Sequence, residues 1–491
     1  MPKDLKPSSR VIFKPLDLQL FKGVDILKLK QIAVAMMLVL PFASAQSAES
    51  VDPNDFNALV VKMDAMQDSM EVSGLKGLRI SGGMDPVYFY NHNAGTSSFA
   101  FLNNFSNING SGEFYSYDNS YFGMAYLDIQ KEMDDGSKMR LTLAPSKSTG
   151  AQYNFGNIVH EASVTIPIDG PATRLMAGQM PDVSGYEPFL NGFSGTNAIT
   201  SNQLYPGFPE YFITKNMLFD FAAATFYTGV GLDMVRGPWE VKLFLANFNS
   251  ARNQCTSTGT TGATPPVAAG NGTCAGTNTT PTFIYNATYA QEEYWGYEFT
   301  GYEGSVSNWN AGGASRLDNF EIDAWYTRGD FNTNLQYTIG RQANAANSLD
   351  GNNNTQDAGW WGVSGLVSER VTPKLTFAGR IDYLNNQRNG GGTFNTYNSN
   401  PFNTTLAATG AVGDSINGFG PGDPNAAGYD PQVGANRTSF TVAATYRLTR
   451  YAALRAELRH DISTLPSFYR FTDGVFTNSN DTAGLQTIVN F

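Results

Sequence analysis

The sequence predicts an all-β chain, a transmembrane antiparallel up-and-down barrel of about 14–16 strands preceded by a short helical segment. Three observations predict it. From residue 77 onward apolar and polar side chains alternate with a period of two, which requires one apolar and one polar environment. Tight turns are interleaved with long polar loops, a segregation by length that a soluble β-sandwich has no reason to show. The composition is 15% charged and 13% aromatic, with 50 glycines in 491 residues; an average soluble chain carries roughly 25% charged residues.

The amino end reads as an address. Lys28 and Lys30 precede the apolar run "IAVAMMLVL" (32–40), followed by Pro41 and the small-residue site Ala43-Ser44-Ala45. A basic stretch, a short apolar core and an A-x-A site make residues 1–45 a cleavable signal peptide. The run is too short for an anchor, since a spanning helix needs ~20 residues. Residues 1–27 are long for an n-region, which points to a start further downstream. Removing 1–45 takes away seven Lys/Arg and three Asp/Glu of the 32 and 43 present, leaving a formal charge of −15. That argues against a nucleic-acid partner. Residues 46–76 follow with a helical period: Leu59, Met63, Met66 and Met70 are spaced 4, 3, 4, either a short oligomerising coil or an ordinary amphipathic helix.

The barrel is expected over 77–491, in hairpins. "FEIDAWY" places Phe320, Ile322, Ala324 and Tyr326 on one face and Glu321, Asp323 and Trp325 on the other. Beyond the turn "TRGD", Phe331, Thr333, Leu335, Tyr337 and Ile339 oppose Asn332, Asn334, Gln336 and Thr338. The design recurs around "RGP" (236–238), where Trp239, Val241, Leu243 and Leu245 oppose Glu240 and Lys242. It recurs around "RVTP", where Leu375, Phe377, Ile381 and Tyr383 oppose Thr376, Arg380 and Asp382. Around "TRY" (449–451), Phe440, Val442, Tyr446 and Leu454 oppose Arg447, Arg455, Glu457 and Arg459. Earlier turns fall at "DDGS" and "DGP". Fourteen strands count cleanly, and sixteen if "YNATYAQEEYWGYEFTGYEG" (285–304) hides another hairpin.

The hydrocarbon layer forbids a free sheet edge, because every unpaired N–H or C=O there costs several kcal/mol. Closure then places apolar rows against lipid and polar rows around a lumen that 14–16 strands leave wide enough for water. Pore-lining positions are expected at Arg380, Asp382, Arg447, Arg455, Glu457, Arg459, Glu321 and Asp323, too costly for a dry core. Trp239, Trp325, Tyr326, Phe331 and Tyr451 suit an interfacial aromatic girdle.

Catalytic and metal chemistry is not indicated. The three histidines are His92, His160 and His460, and no G-x-S-x-G, H-E-x-x-H or P-loop accompanies them. Adjacent strand residues point to opposite faces, so His460 and Asp461 form no dyad. "DGNNNTQD" (350–357) lacks the sixth-position Gly and twelfth-position Glu of a calcium loop, and reads as a polar turn. No enzyme activity, metal or cofactor is expected. Cys255 and Cys274 lie in one Gly/Thr/Pro-rich stretch and, in an exported chain, suit a loop disulfide.

The chain ends "LQTIVNF", with Leu485, Thr487, Val489 and Phe491 alternating up to the carboxylate. With the leader and the asymmetric hairpins, this resembles the Gram-negative outer-membrane porins, whose last strand ends in Phe. The resemblance implies residence in the bacterial outer membrane, contact with its lipid and lipopolysaccharide, delivery to the barrel-assembly machinery through Phe491, and a homotrimer. It implies passive diffusion of small hydrophilic solutes and ions. Porins also carry an inward-folding constriction loop; Glu292, Glu293, Trp295 and Glu298 in "EEYWGYEF" are the candidates here. Two other readings stay open: a solute-specific channel for a phosphate, sugar or aromatic acid, and a plugged barrel serving as an adhesin or structural surface protein.

Overall fold

In the computed structural model the chain divides into Met1–Val72 and Ser73–Phe491. The structure describes residues 76–101, 123, 125–144, 159–187, 211–224, 226–249, 281–291, 294–308, 313–393 and 413–491, all in the second unit. The leader, the 46–75 segment, Cys255, Cys274, Glu292 and Glu293 lie outside the described residues.

Where the sequence alternates, it forms strand. β1 (Leu78–Met84) and β2 (Val87–Asn91) are two halves of one stave, interrupted at Asp85-Pro86 because proline has no N–H to donate. β3 (Thr96–Ala100) pairs only with β2. The staves then run in chain order: β4 (Ala125–Glu132), β5 (Lys138–Leu143), β6 (Val159–Pro167), β7 (Thr173–Pro181), β8 (Phe226–Arg236), β9 (Trp239–Asn249), β10 (Thr282–Gln291) and β11 (Trp295–Asn308). They continue with β12 (Gly313–Arg328), β13 (Phe331–Gln342), β14 (Ala358–Thr372), β15 (Leu375–Asn385), β16 (Arg437–Arg447) and β17 (Ala452–Ser463). A small hairpin, β18 (Phe468–Arg470) with β19 (Val475–Thr477), precedes the last stave, β20 (Ser479–Asn490).

Every stave pairs antiparallel with its neighbours, and β20 closes the ring against β17 on one side and β2 on the other. The result is a closed 16-strand barrel. The extra hairpin flagged at 285–304 is β10–β11, in register Ile284↔Tyr302, Thr288↔Glu298. At one end the connections are short. Gly237 and Gly329 occupy two of these turns at φ +58° and +61°, a conformation cheap only for glycine and needed by two-residue hairpins. The other end carries the long loops, together with one four-residue connection at 309–312.

The two faces are chemically separate. Leu335 is 61% exposed on the outside of β13, whereas Gln336 beside it is 1% exposed. Leu245, Ile381, Val442, Leu485 and Val489 share the outer face. At the turn end Trp239, Tyr289, Trp295 and Tyr297 pack ring against ring outside, with Trp239–Tyr289 centroids 5.1 Å apart. Tyr326, Phe331 and Tyr451 are also exposed. Trp325 departs from the girdle expected for it. It stands in the row of Glu321 and Asp323, where a Cβ on its cross-strand partner Gly296 would strike its ring. Strand alternation puts it inside. The largest apolar cluster also lies inside the barrel, among Phe89, Met180, Ile213, Leu218, Phe221, Tyr302 and Trp360.

Candidate functional site

The inner wall carries charge in separate arcs. Glu298 on β11 stands opposite Asp323 on β12 in register, and Thr300 opposite Glu321. Four strands on, β15 to β17 contribute Arg380, Arg437, Arg455 and Arg459, all 4% exposed or less. Further round, Arg140 pairs with Asp128 (2.8 Å) and Glu161 (3.5 Å), and Arg174 with Asp233 (2.5 Å) and Glu240 (3.6 Å). A buried charge is tolerated when it is paired and hydrogen-bonded; the arginine arcs meet that condition, whereas buried carboxylate oxygens of Glu321 and Asp323 have no hydrogen-bond partner among the described residues.

What covers Arg380, Arg455 and Arg459 is the connection between β7 and β8. Its described stretches, 182–187 and 211–224, run inside the barrel and end in a short helix, α1 (Met217–Ala222). The helix is capped by Asn216, whose side chain accepts from Phe219 N at 2.7 Å. Just before it the backbone is irregular, and the wall satisfies its polar groups. The Glu457 carboxylate accepts from the N–H groups of Ile213 and Thr214 and from Thr214 Oγ1 (2.6 Å to the last). Arg380 donates to the carbonyls of Thr214 (2.9 Å) and Lys215 (2.8 Å) and to Glu187 (3.1 Å). Arg459 donates to the Lys215 carbonyl at 3.0 Å, and Arg455 to the Phe212 carbonyl at 3.3 Å. Gln336 on β13 accepts from Asn216 Nδ2 at 2.8 Å.

Side-chain sockets complete the seat. Gly484 on β20 faces inward, and a Cβ there would come within 2.7 Å of Ile213 Cδ1. A Cβ on Gly362 of β14 would collide with Leu218. At the entry to the segment, Asp182 accepts from the hydroxyls of Tyr302 (3.0 Å), Tyr227 and Ser184. Burial pushes its carboxyl up to about 6. On the loop side, Phe221 meets Phe419 edge to face at 4.7 Å, and Arg437 lies over both rings.

The sequence-derived positions fall out as follows. Arg380, Asp382, Arg455, Glu457, Arg459, Glu321 and Asp323 all face inward and are buried; Arg447 faces inward near the turn end and is half-buried. The constriction segment is corrected. Trp295 and Glu298 belong to wall strand β11, Trp295 outside and Glu298 inside, while the chain that enters the lumen comes from 182–187 and 211–224. The overlooked signal was the apolar run Met217–Ala224 in an otherwise polar loop. His460 lies outside against Asp481 (2.6 Å), with Asp461 on the inner face beside Arg437 (2.9 Å). The 350–357 turn is knit by its own bonds: Asn354 and Asn352 donate to Asp350 and hold that carboxyl below its usual range. No group of three His, Cys, Asp or Glu able to hold a metal occurs among the described residues.

A closed ring of strands, apolar outside and charged within, defines the class: a β-barrel of the outer-membrane type. The chain belongs to the family described as "Protein of unknown function (DUF3138)", whose model matches residues 45–491. No curated protein matches it in sequence. Among solved structures it is similar to the outer membrane channel DcaP of Acinetobacter baumannii, with TM-score 0.46, 11% identity, and 84% of this chain and 97% of that one covered. It is also similar to an anion-selective porin from Comamonas acidovorans, with TM-score 0.45, 11% identity, and coverage of 84% and 99%. Salmonella typhi OmpF gives TM-score 0.43, 11% identity, and coverage of 84% and 97%.

Proposed function

We propose that the protein is an outer-membrane porin that admits small hydrophilic solutes and ions by passive diffusion, driven by their gradient and without a chemical step. The observation that carries this reading is the inner wall, where charged rows hold a non-covalently seated segment, 211–224, against β15 and β17. A segment held by side-chain hydrogen bonds can narrow a passage and can also be released from it. On this reading residues 1–45 are a cleaved export signal, the protein works as a homotrimer, and the Phe491 strand engages the assembly machinery. Single-channel recording in planar bilayers tests it: ohmic steps in multiples of three support a trimeric pore.

One observation favours the plugged-barrel reading. The guanidinium groups of Arg380, Arg455 and Arg459 are spent on the segment's carbonyls. A complete lack of conductance at any voltage would select that reading, with the long loops as the working surface. Block of the current by one solute and not its analogues would select a specific channel.

A further inference from the structure

The outer wall carries a built site at its loop end that the pore reading does not use. Two rungs of side chains run across β10 to β15. The lower rung is apolar: Tyr285, Gly301, Phe320, Ile339 and Trp361 are successive cross-strand partners, ending at Asn385. The rung above is charged: Glu303 pairs with Asp318, Asp318 with Arg341, and Arg341 with Gly359. Arg388, from the loop after β15, reaches over Gly359, where a Cβ would stand 3.2 Å from its Cδ. All of these except Gly301 line a pocket of about 510 Å³ on the outside of the barrel.

Its charges are unevenly engaged. Asp318 is taken by Arg316, with contacts of 2.6 and 2.9 Å. Arg341 meets Asp318 only at 3.6 Å and keeps 54% of its side chain exposed. Arg388 has no ion-pair partner among the described residues. Arg341 and Arg388 balance Glu303 and Asp318 along the pocket, and Arg316, opposite Ser305 one step further along β12, makes this end of the wall net positive. On β12 the apolar belt below spans Phe320 to Tyr326, so the arginines stand where hydrocarbon gives way to headgroups.

We propose that this pocket binds a phosphorylated lipid of the outer leaflet, its phosphate on Arg341 and Arg388 and an acyl chain along Phe320, Ile339 and Trp361. Guanidinium groups match phosphate oxygens in geometry and charge, and the glycines at 301 and 359 make room for the Tyr285 ring and the Arg388 side chain that border the groove. The inference rests on the membrane-spanning reading of the barrel, not on whether it conducts.

The test uses the mature protein in detergent, titrated with bis-phosphorylated lipid A, with its dephosphorylated form and with inorganic phosphate, and read by native mass spectrometry. Lipid A binding at least tenfold weaker in R341A/R388A, and unchanged in R328A at the opposite end of β12, is the expected result. The dephosphorylated form should bind as poorly as the double variant, and inorganic phosphate hardly at all. Arg388→Ala alone, outside the strands, should weaken binding at least threefold and serves if the double variant does not fold. Equal binding by the variants, or inorganic phosphate binding as well as the lipid, overturns the proposal. So does a change of oligomeric state in R341A/R388A without loss of lipid, which would make the groove a contact between copies. If instead the protein is soluble and monodisperse without detergent, the membrane reading itself has failed.

Discussion

Glu457→Ala is the most informative single change. Its carboxylate holds three donors of the inserted segment: the N–H groups of Ile213 and Thr214 and the Thr214 hydroxyl. Hydrogen bonds to a charged acceptor contribute about 1.5–3 kcal/mol each, and buried donors left without a partner are costly. Non-additivity within one network keeps the total below the simple sum, so we take about 3 kcal/mol as the cost to the seated state. Each ~1.4 kcal/mol is tenfold in an equilibrium, so the released population should rise about 150-fold. Ala223 reports it. It is fully buried beside Ala144 and Phe219, and a cysteine there, in a C255S/C274S background, is protected while α1 is seated. In the regime where opening is fast, labelling by a membrane-impermeant thiol reagent follows the open population. Conductance, recorded in parallel, should rise or become noisy. Glu457→Gln, which keeps an acceptor without the charge, should fall between the two. Labelling of E457A at the parental rate, with unchanged current, would mean that the wall does not hold the segment.

Asp182 supplies a pH dependence whose sign follows from its environment. With the carboxyl at about 6 when seated and 3.8 when free, the seated state binds the proton more tightly. Seating is therefore strongest below pH 4, weakens as pH rises through 6 and is flat above. Normalised to an exposed control thiol, Ala223→Cys should label about tenfold more slowly at pH 5 than at pH 7.5. Asp182→Asn should abolish most of that difference; faster labelling in acid would contradict the assignment. On the outer face, Leu335→Arg should cost about 2–4 kcal/mol in urea titrations of the barrel folded into lipid vesicles, whereas Phe331→Arg near the turn end should cost about 0–1 kcal/mol. Equal costs would remove these rows from the bilayer. Deleting Phe491 removes its backbone pairing with Gly82 (2.9 and 3.2 Å) and the ring lying over that glycine. Folded barrel, read by heat-modifiable migration, should drop several-fold, and full yield would deny the terminal residue a part in closure.

The barrel was legible because its signal is local. A period of two repeats within any half-dozen residues, so Glu321/Ile322 and Asn334/Leu335 could be sorted by face from the chain alone, and the row Leu485–Phe491 emerges outside as its spacing required. The hairpin at 285–304 was blurred by Gly296, Gly301 and Gly304, each of which yields space to a neighbour's side chain and so interrupts the pattern. The inserted segment had no comparable signature. Glu457 and Thr214 are 243 residues apart, and nothing in either neighbourhood names the other. Trp325 was misread for a related reason: nearness to a turn suggested the girdle, although its position in the alternation already assigned it to the inner face.

That long-range seat changes what the arginines of β15 and β17 mean. An irregular segment inside a barrel has no ladder of its own, and its backbone groups must find partners or stay outside. Here Arg380, Arg455 and Arg459 supply donors to the carbonyls at 212, 214 and 215, while Glu457 supplies the acceptor for the amides at 213 and 214. The wall charges thus act as a side-chain substitute for strand pairing. Reversing Arg455 and Arg459 to Glu should still move ion preference toward cations, but it must also place carboxylates against carbonyl oxygens and expel the segment. The two effects separate in the current: selectivity appears in the reversal potential, release in the conductance and in labelling of Ala223→Cys. A reversal-potential shift with no change in either of the other two would mean that these arginines line water instead of holding the chain.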